Sequence, residues 1–281
     1  MPELPEVEII RLGLQKYLVG RKIEDVEVRV PKIFVGDKKN VIGATITGLN
    51  RIGKGLIIEL DNDFVLAVHL KMTGQLVYVD NKIKGPILSP KVGGEKLPSK
   101  YSHIIFTLDN NSFLYYNDLR RFGWIKVVRK DKLMQIPFFK ELGPEPLKDL
   151  TLKKFKDIVL KSNLVIKVLL MDQKKIGGIG NIYANDALFE ARIDPRRSAK
   201  QISPEEIERL YKAILKVLQK GLDYGGSSDE NFVNALGQKG NYQKHTLVYG
   251  RAGETCPVCG GIIQKIKLGG RGTYFCSKCQ H

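Results

Sequence analysis

The sequence predicts an α+β chain: a β-sandwich or flattened barrel, then a helical domain that closes in a zinc-binding module. Three observations predict it. Residues 22–128 break into short β-rich runs at regular spacing, as in sandwiches and barrels. Beyond residue 146 the apolar positions recur at helical spacing instead. All four cysteines fall in the last 26 residues, as two Cys-x-x-Cys pairs.

Taken in order, 5–18 opens as a helix. Pro5 suits the first helical position, Glu6 and Glu8 sit where the helix dipole favours negative charge, and Leu14 and Leu18 continue an apolar stripe. Strands are expected at 23–30, 44–49, 56–60, 64–70, 75–79, 103–108, 113–116 and 124–128. Residues 82–100, rich in Gly, Pro and Lys, read as a long mobile loop. Gly143-Pro144-Glu145-Pro146 is a stiff, helix-incompatible stretch and marks the domain boundary. Helices are expected at 152–162, 165–172, 182–191 and 204–222. The last carries a strong start signal in Ser203-Pro204-Glu205-Glu206. Residues 225–244 are polar and glycine-bearing and read as a flexible loop. The division is therefore 1–136 as the β-sandwich domain, 137–147 as linker, 148–245 as the helical domain and 246–281 as the zinc module. No internal repeat is present.

The 281 residues suit two domains or one large one, and 43% hydrophobic with 27% charged residues is ordinary for a globular protein. The charge balance is not ordinary. Forty-six Lys+Arg against 30 Asp+Glu give +16, which points to a polyanionic partner, nucleic acid before membrane. A lysine-rich proteome is the bland alternative. No apolar run approaches the roughly 18 residues that span a bilayer, and the N-terminus is acidic where a signal peptide is basic. A cytoplasmic protein is expected.

Cys256, Cys259, Cys276 and Cys279 form two knuckles separated by 16 residues, the spacing of a closed tetrahedral zinc site. A redox dithiol fits poorly, since one pair would be superfluous. Between the knuckles, glycines on both sides put Arg271 at a hairpin tip, where it could be a plain exposed turn arginine. Lys174 to Asn181 links two helices through a glycine-rich turn whose N–H groups could receive a phosphate oxygen, or which could serve packing alone. Arg51-Ile-Gly-Lys54-Gly55 is a basic turn before a strand. Asp118-Leu119-Arg120-Arg121-Phe122-Gly123-Trp124 sets two arginines beside two aromatics. At the N-terminus, removal of Met1 would leave Pro2 as a secondary amine with Glu3 one peptide away. Such an amine attacking a sugar C1′ gives an iminium ion with no N–H to lose, a persistent electron sink.

The string Pro2-Glu3-Leu4-Pro5-Glu6-Val7-Glu8 resembles the N-terminus of bacterial formamidopyrimidine-DNA glycosylases, which excise 8-oxoguanine and ring-opened purines. Four further motifs resemble the same family in the same order. The resemblance implies a helix-two-turn-helix in the second domain, with the first domain catalytic, and one structural Zn2+ on the four cysteines. It implies Pro2 as nucleophile and Glu3 as proton donor. Lys54 and Arg271 would contact phosphate at the lesion and assist catalysis, and Asn181 would hold the backbone beside it. Met72 from His69-Leu70-Lys71-Met72-Thr73-Gly74, with Arg120 and Phe122, would fill the gap left by the flipped base. His103 matches a DNA-contacting position. Leu119 stands where the family usually has proline, Ile9 where threonine is usual, and Ser162 and Asn163 where lysines are frequent. The expected protein is a monomeric, nucleoid-associated glycosylase/AP lyase of base excision repair, acting on damaged double-stranded DNA by β,δ-elimination, with no membrane partner. Two alternatives stay open: an endonuclease VIII-like enzyme for oxidised pyrimidines, and a non-enzymatic zinc-ribbon DNA-binding protein.

Overall fold

The computed structural model describes residues 1–82, 97–229 and 231–281. Most of the loop expected at 82–100 lies outside them. The chain forms two compact units, Met1–Lys140 with Leu222–Gln243, and Glu141–Gly221 with Lys244–His281.

The first unit begins with α1 (Leu4–Leu18), then β1 (Ile23–Val28), β2 (Phe34–Val35), β3 (Ile46–Ile52), β4 (Gly55–Leu60) and β5 (Phe64–His69). β6 (Gly74–Val79), β7 (Ser102–Leu108), β8 (Ser112–Asp118), β9 (Trp124–Arg129) and the short α2 (Pro137–Lys140) complete it. One sheet has the order β1-β7-β8-β6 and the other β2-β9-β5-β4-β3. Eight strands match the expected runs. β2 escaped the sequence reading because two residues carry no periodicity; it pairs with β9 in parallel. The core draws Leu14 and Leu18 from α1, Leu56 and Ile58 from β4, Leu66 and Val68 from β5, and Phe106 and Tyr116 from β7 and β8. The alternation seen in sequence is therefore the inward face of each sheet. Phe139 of α2 is buried against Ile57 and Ala67, so 137–140 packs with the first unit.

Residues 225–229 and 231–244, read from sequence as a flexible loop, have little regular structure yet send apolar side chains into the core. Phe232 and Ala235 enter the core, and Tyr78 N–H donates to Ala235 O at 2.8 Å. A Cβ on Gly13 of α1 would come within 2.7 Å of Ala235 Cβ, so glycine permits the helix to approach this segment. Polar composition hid these few apolar anchors. Residues 222–243, read from sequence as part of the helical domain, cluster with the first unit.

The second unit holds α3 (Leu152–Leu160), α4 (Ile166–Met171), α5 (Asn181–Glu190), most of α6 (Pro204–Asp223) and the hairpin β10 (Gln264–Leu268)–β11 (Arg271–Phe275). Ahead of α6, Ser203 N–H donates to Glu206 Oε2 at 2.8 Å and Glu206 N–H to Ser203 Oγ at 3.3 Å. This is the reciprocal cap its sequence signalled. No helix among the described residues is long and apolar enough to cross a membrane.

Candidate active site and nucleic-acid contacts

Pro2 and Glu3 lie buried where the chain enters α1. Glu3 caps the helix in a capping box with Glu6, the Glu3 N–H donating to Glu6 Oε2 at 2.8 Å. The other Glu6 oxygen accepts the Ser227 N–H at 2.9 Å. One buried carboxylate thus fixes the proposed nucleophile's neighbour and the returning segment together. Sequence reading took Glu6 for a dipole partner only.

Farther along α1, Glu8 accepts from Arg51 Nε at 2.7 Å and from Arg11. Arg51 also donates to Gly53 O at 2.9 Å. Ile52 pairs with Gly55, so Gly53 and Lys54 form the two-residue turn between β3 and β4, with Gly53 at φ +59°. The Glu8–Arg51 pair therefore ties α1 to the turn that presents Lys54. Burial alone would raise the Glu8 carboxyl, and hydrogen bonds and charge from Arg11 and Arg51 outweigh it, holding it below its ordinary value.

His69, which sequence reading used only as part of a string, pairs with Gly55 across β4–β5 and so stands next to Lys54. It is buried, and Lys71 N–H donates to its Nδ1 at 2.9 Å. Burial, with the charges of Lys71 and Lys54, pushes its pKa down to about 3, so the ring is neutral at physiological pH. The clue in sequence was its place at a strand end one hairpin from Lys54.

Met72 sits in the turn between β5 and β6, and Arg120 and Phe122 in the turn between β8 and β9. The Arg120 guanidinium lies over the Phe122 ring at 4.7 Å, and Phe122 is 54% exposed, a large aromatic left in solvent. His103 is buried, and its Nε2 donates to Asp118 O at 2.8 Å.

In the second unit, Asn181 opens α5 after the glycine-rich turn. Gln173 holds that turn shut, its Nε2 donating to Ile179 O at 2.7 Å and its Oε1 accepting Gly178 N–H at 3.0 Å. Gly269 and Gly270, both at positive φ, make the hairpin tip, so Arg271 is the first residue of β11 rather than the tip itself. Gly272 O accepts from Asn181 Nδ2 at 3.1 Å and from Lys167 Nζ at 2.9 Å. The structure thereby brings Asn181 and Arg271 together, through a fully buried lysine on α4 that sequence reading missed. Lys167 gave no signal because it reads as one more helical lysine.

The four cysteine sulfurs lie within 4.8 Å of one another, with 3.8 Å between Cys256 and Cys279 and 3.5 Å between Cys259 and Cys276. Four thiolates about 2.3 Å from one tetrahedral zinc stand about 3.8 Å apart. The donor set fits one closed, structural Zn2+. Asp186 of α5, fully buried, accepts the N–H groups of Leu247, Val248 and Tyr249 at 3.1 Å and anchors the chain entering this module.

Comparison with known proteins places the chain. Family models match residues 1–125 as formamidopyrimidine-DNA glycosylase N-terminal domain, 142–232 as its H2TH domain and 253–281 as a zinc finger found in FPG and IleRS. The formamidopyrimidine-DNA glycosylase of Pelotomaculum thermopropionicum is 43% identical, covering 100% of this chain and 99% of that protein. A Lactococcus lactis FPG variant solved with Fapy-dG-containing DNA is 37% identical with a TM-score of 0.88, all of both chains covered. MutM in complex with DNA containing carbocyclic 8-oxo-G gives 37% and 0.87, again over both whole chains. With full-length relatives at this identity and three domain models matched in order, the chain belongs to the formamidopyrimidine-DNA glycosylase family.

Proposed function

We propose that this DNA glycosylase excises oxidised purines from duplex DNA and cuts the strand at the resulting abasic sugar, with the Pro2 amine as nucleophile. The observation that carries the reading is Pro2 and Glu3 buried at a capped helix start, held by the Glu6 carboxylate. Removal of Met1 frees the Pro2 nitrogen, whose pKa as an α-amino group lies near neutrality. That nitrogen bonds to C1′ as the bond from C1′ to the base breaks, and the base leaves with the bonding pair and a proton. Glu3 delivers a proton to the opening sugar oxygen. The resulting iminium acidifies the C2′ hydrogens, so the 3′ phosphate and then the 5′ phosphate depart by β- and δ-elimination, and water releases the enzyme.

Lys54, Asn181 and Arg271 hold the flanking phosphates, and Met72, Arg120 and Phe122 fill the space vacated by the lesion. The zinc takes no part in the chemistry; it folds the module that carries Arg271. Like its bacterial relatives, the enzyme would act on chromosomal DNA in the cytoplasm.

Borohydride trapping on an 8-oxoguanine:cytosine duplex, with the N-terminal mass measured on the same sample, tests this. A covalent adduct at Pro2 is expected, with none from Pro2→Gly. A Pro2→Gly protein that still cuts would sink the mechanism, and faster excision of dihydrouracil than of 8-oxoguanine would reassign the substrate class.

A further inference from the structure

The two turns that carry the gap-filling side chains are joined by one buried carboxylate. Asp118 ends β8 and is fully buried. Its Oδ1 accepts the Thr73 hydroxyl and the Arg120 N–H, the latter at 3.1 Å, and its Oδ2 accepts the Gly123 N–H at 2.8 Å. Thr73 Oγ1 in turn accepts the Arg120 N–H at 2.9 Å, which closes a ring of bonds over Thr73, Asp118 and Arg120. The Asp118 backbone is pinned as well: its carbonyl by His103 Nε2, its N–H to Tyr101 O at 3.0 Å.

The joined turns need outside support. Lys71, beside Met72, has φ +52°, and Arg121, between Arg120 and Phe122, has φ +55°. Left-handed backbone at residues with side chains persists only where the surroundings hold it. Gly123 is demanded by space rather than by backbone angle: a Cβ there would meet Tyr116 Oη at 1.8 Å and His69 O at 2.8 Å. Thr73 is 3% exposed, so its hydroxyl bonds in a protected site, where hydrogen bonds to a charged group are strong.

We propose that Thr73 and Asp118 are positioning residues that make the Met72 turn and the Arg120–Phe122 turn a single rigid wedge. The inference rests on the gap-filling role given above to Met72, Arg120 and Phe122. Extruding a base costs a few kcal/mol, and the side chains that replace it offset this only when they enter the stack together. A turn free to swing presents one filler without the other. Cleavage at an abasic site has no base to extrude, so it depends far less on the wedge.

The test compares two substrates under single-turnover conditions: 8-oxoguanine opposite cytosine, and a preformed abasic site opposite cytosine. Thr73→Val keeps the shape and removes the hydroxyl, and Thr73→Ser keeps the hydroxyl. Thr73→Val is expected to slow 8-oxoguanine excision by about tenfold to a hundredfold. Abasic-strand cleavage should stay at the wild-type rate, and Thr73→Ser should restore excision. Hydrogen exchange should quicken at the Arg120 and Gly123 amides and stay unchanged within β8. Equal losses on both substrates, or none on either, would overturn the wedge while leaving the enzyme assignment intact. A wild-type protein that acts on neither duplex would overturn the assignment, and the wedge with it.

Discussion

The supports beside the candidate site residues differ between the two units, although both also use a buried carboxylate on backbone N–H groups, Asp186 in the second. In the first, two sheets and α1 enclose a large apolar core, and buried carboxylates grip backbone N–H groups at its edge: Glu6 at Glu3 and Ser227, Asp118 at Arg120 and Gly123. In the second, the module that carries Arg271 has a small apolar cluster of buried Phe189, Val248, Cys256, Ile263 and Cys276, two of them thiols of the metal site, with Leu247, Tyr274 and Cys279 partly buried against it. There a buried lysine and an asparagine grip a carbonyl, Gly272 O. The contrast follows from what each segment leaves unpaired. A helix start, the segment after α6 and the turn after β8 expose N–H groups and call for anions, whereas the β10–β11 hairpin directs a carbonyl at α4 and α5 and calls for donors. It also follows from size. A hairpin of two five-residue strands cannot bury enough apolar surface to fold alone and needs a metal.

The sharpest way to break this contrast is to remove the metal. Zinc contributes on the order of 10 kcal/mol or more to such a module. Cys276→Ser, or chelation, should unfold the β10–β11 hairpin and abolish strand cleavage, while the first unit keeps its β-sheet circular dichroism and its own cooperative melt. A chelated protein that still cuts at the wild-type rate would show that the finger's position does not depend on zinc.

A smaller effect is expected at Lys167. Lys167→Met removes the bonds that Lys167 Nζ donates to the hairpin, at Gly272 O and Thr273 Oγ1, in a fully buried site. The loss should be about 1–3 kcal/mol of stability, with incision reduced about tenfold. Because Lys167 is buried, the salt dependence of DNA affinity should keep its slope, whereas Arg271→Ala should lower it by about one. A lowered slope in Lys167→Met would make the lysine a phosphate contact rather than a support.

These supports are also where sequence reading stopped. Long-period patterns were legible: eight strands, five of the helices, the Ser203 cap and the thiol spacing each announce themselves within about 20 residues. The candidate site residues were named because motif strings marked them. Their supports were not. Asp118–Thr73 spans 45 positions, Glu8–Arg51 43 and Lys167–Gly272 105, and no local pattern encodes a partner at that separation. Residues 225–244 failed for a related reason. Their anchors, Phe232 and Ala235, are isolated apolar residues in a polar run, and only the fold shows that they fill the first unit's core.

The smallest and most selective prediction concerns Glu8. Its side chain is 18% exposed and that of Arg51 10%, so the pair is neither a surface ion pair nor fully dry, and Glu8→Gln should cost about 1 kcal/mol at neutral pH. The sign of its pH dependence is fixed by the direction of the shift. The folded Glu8 carboxyl is held below its ordinary 4.5, so the unfolded chain takes up the proton first as pH falls. The stabilisation is therefore complete above the ordinary value and disappears as pH drops through the lowered one. Urea unfolding of wild type and Glu8→Gln across this range should give curves that are separated at pH 7 and converge in acid. A gap that stays constant into acid would mean that the pair acts by shape, and that α1 and the Lys54 turn are held together by packing instead of charge.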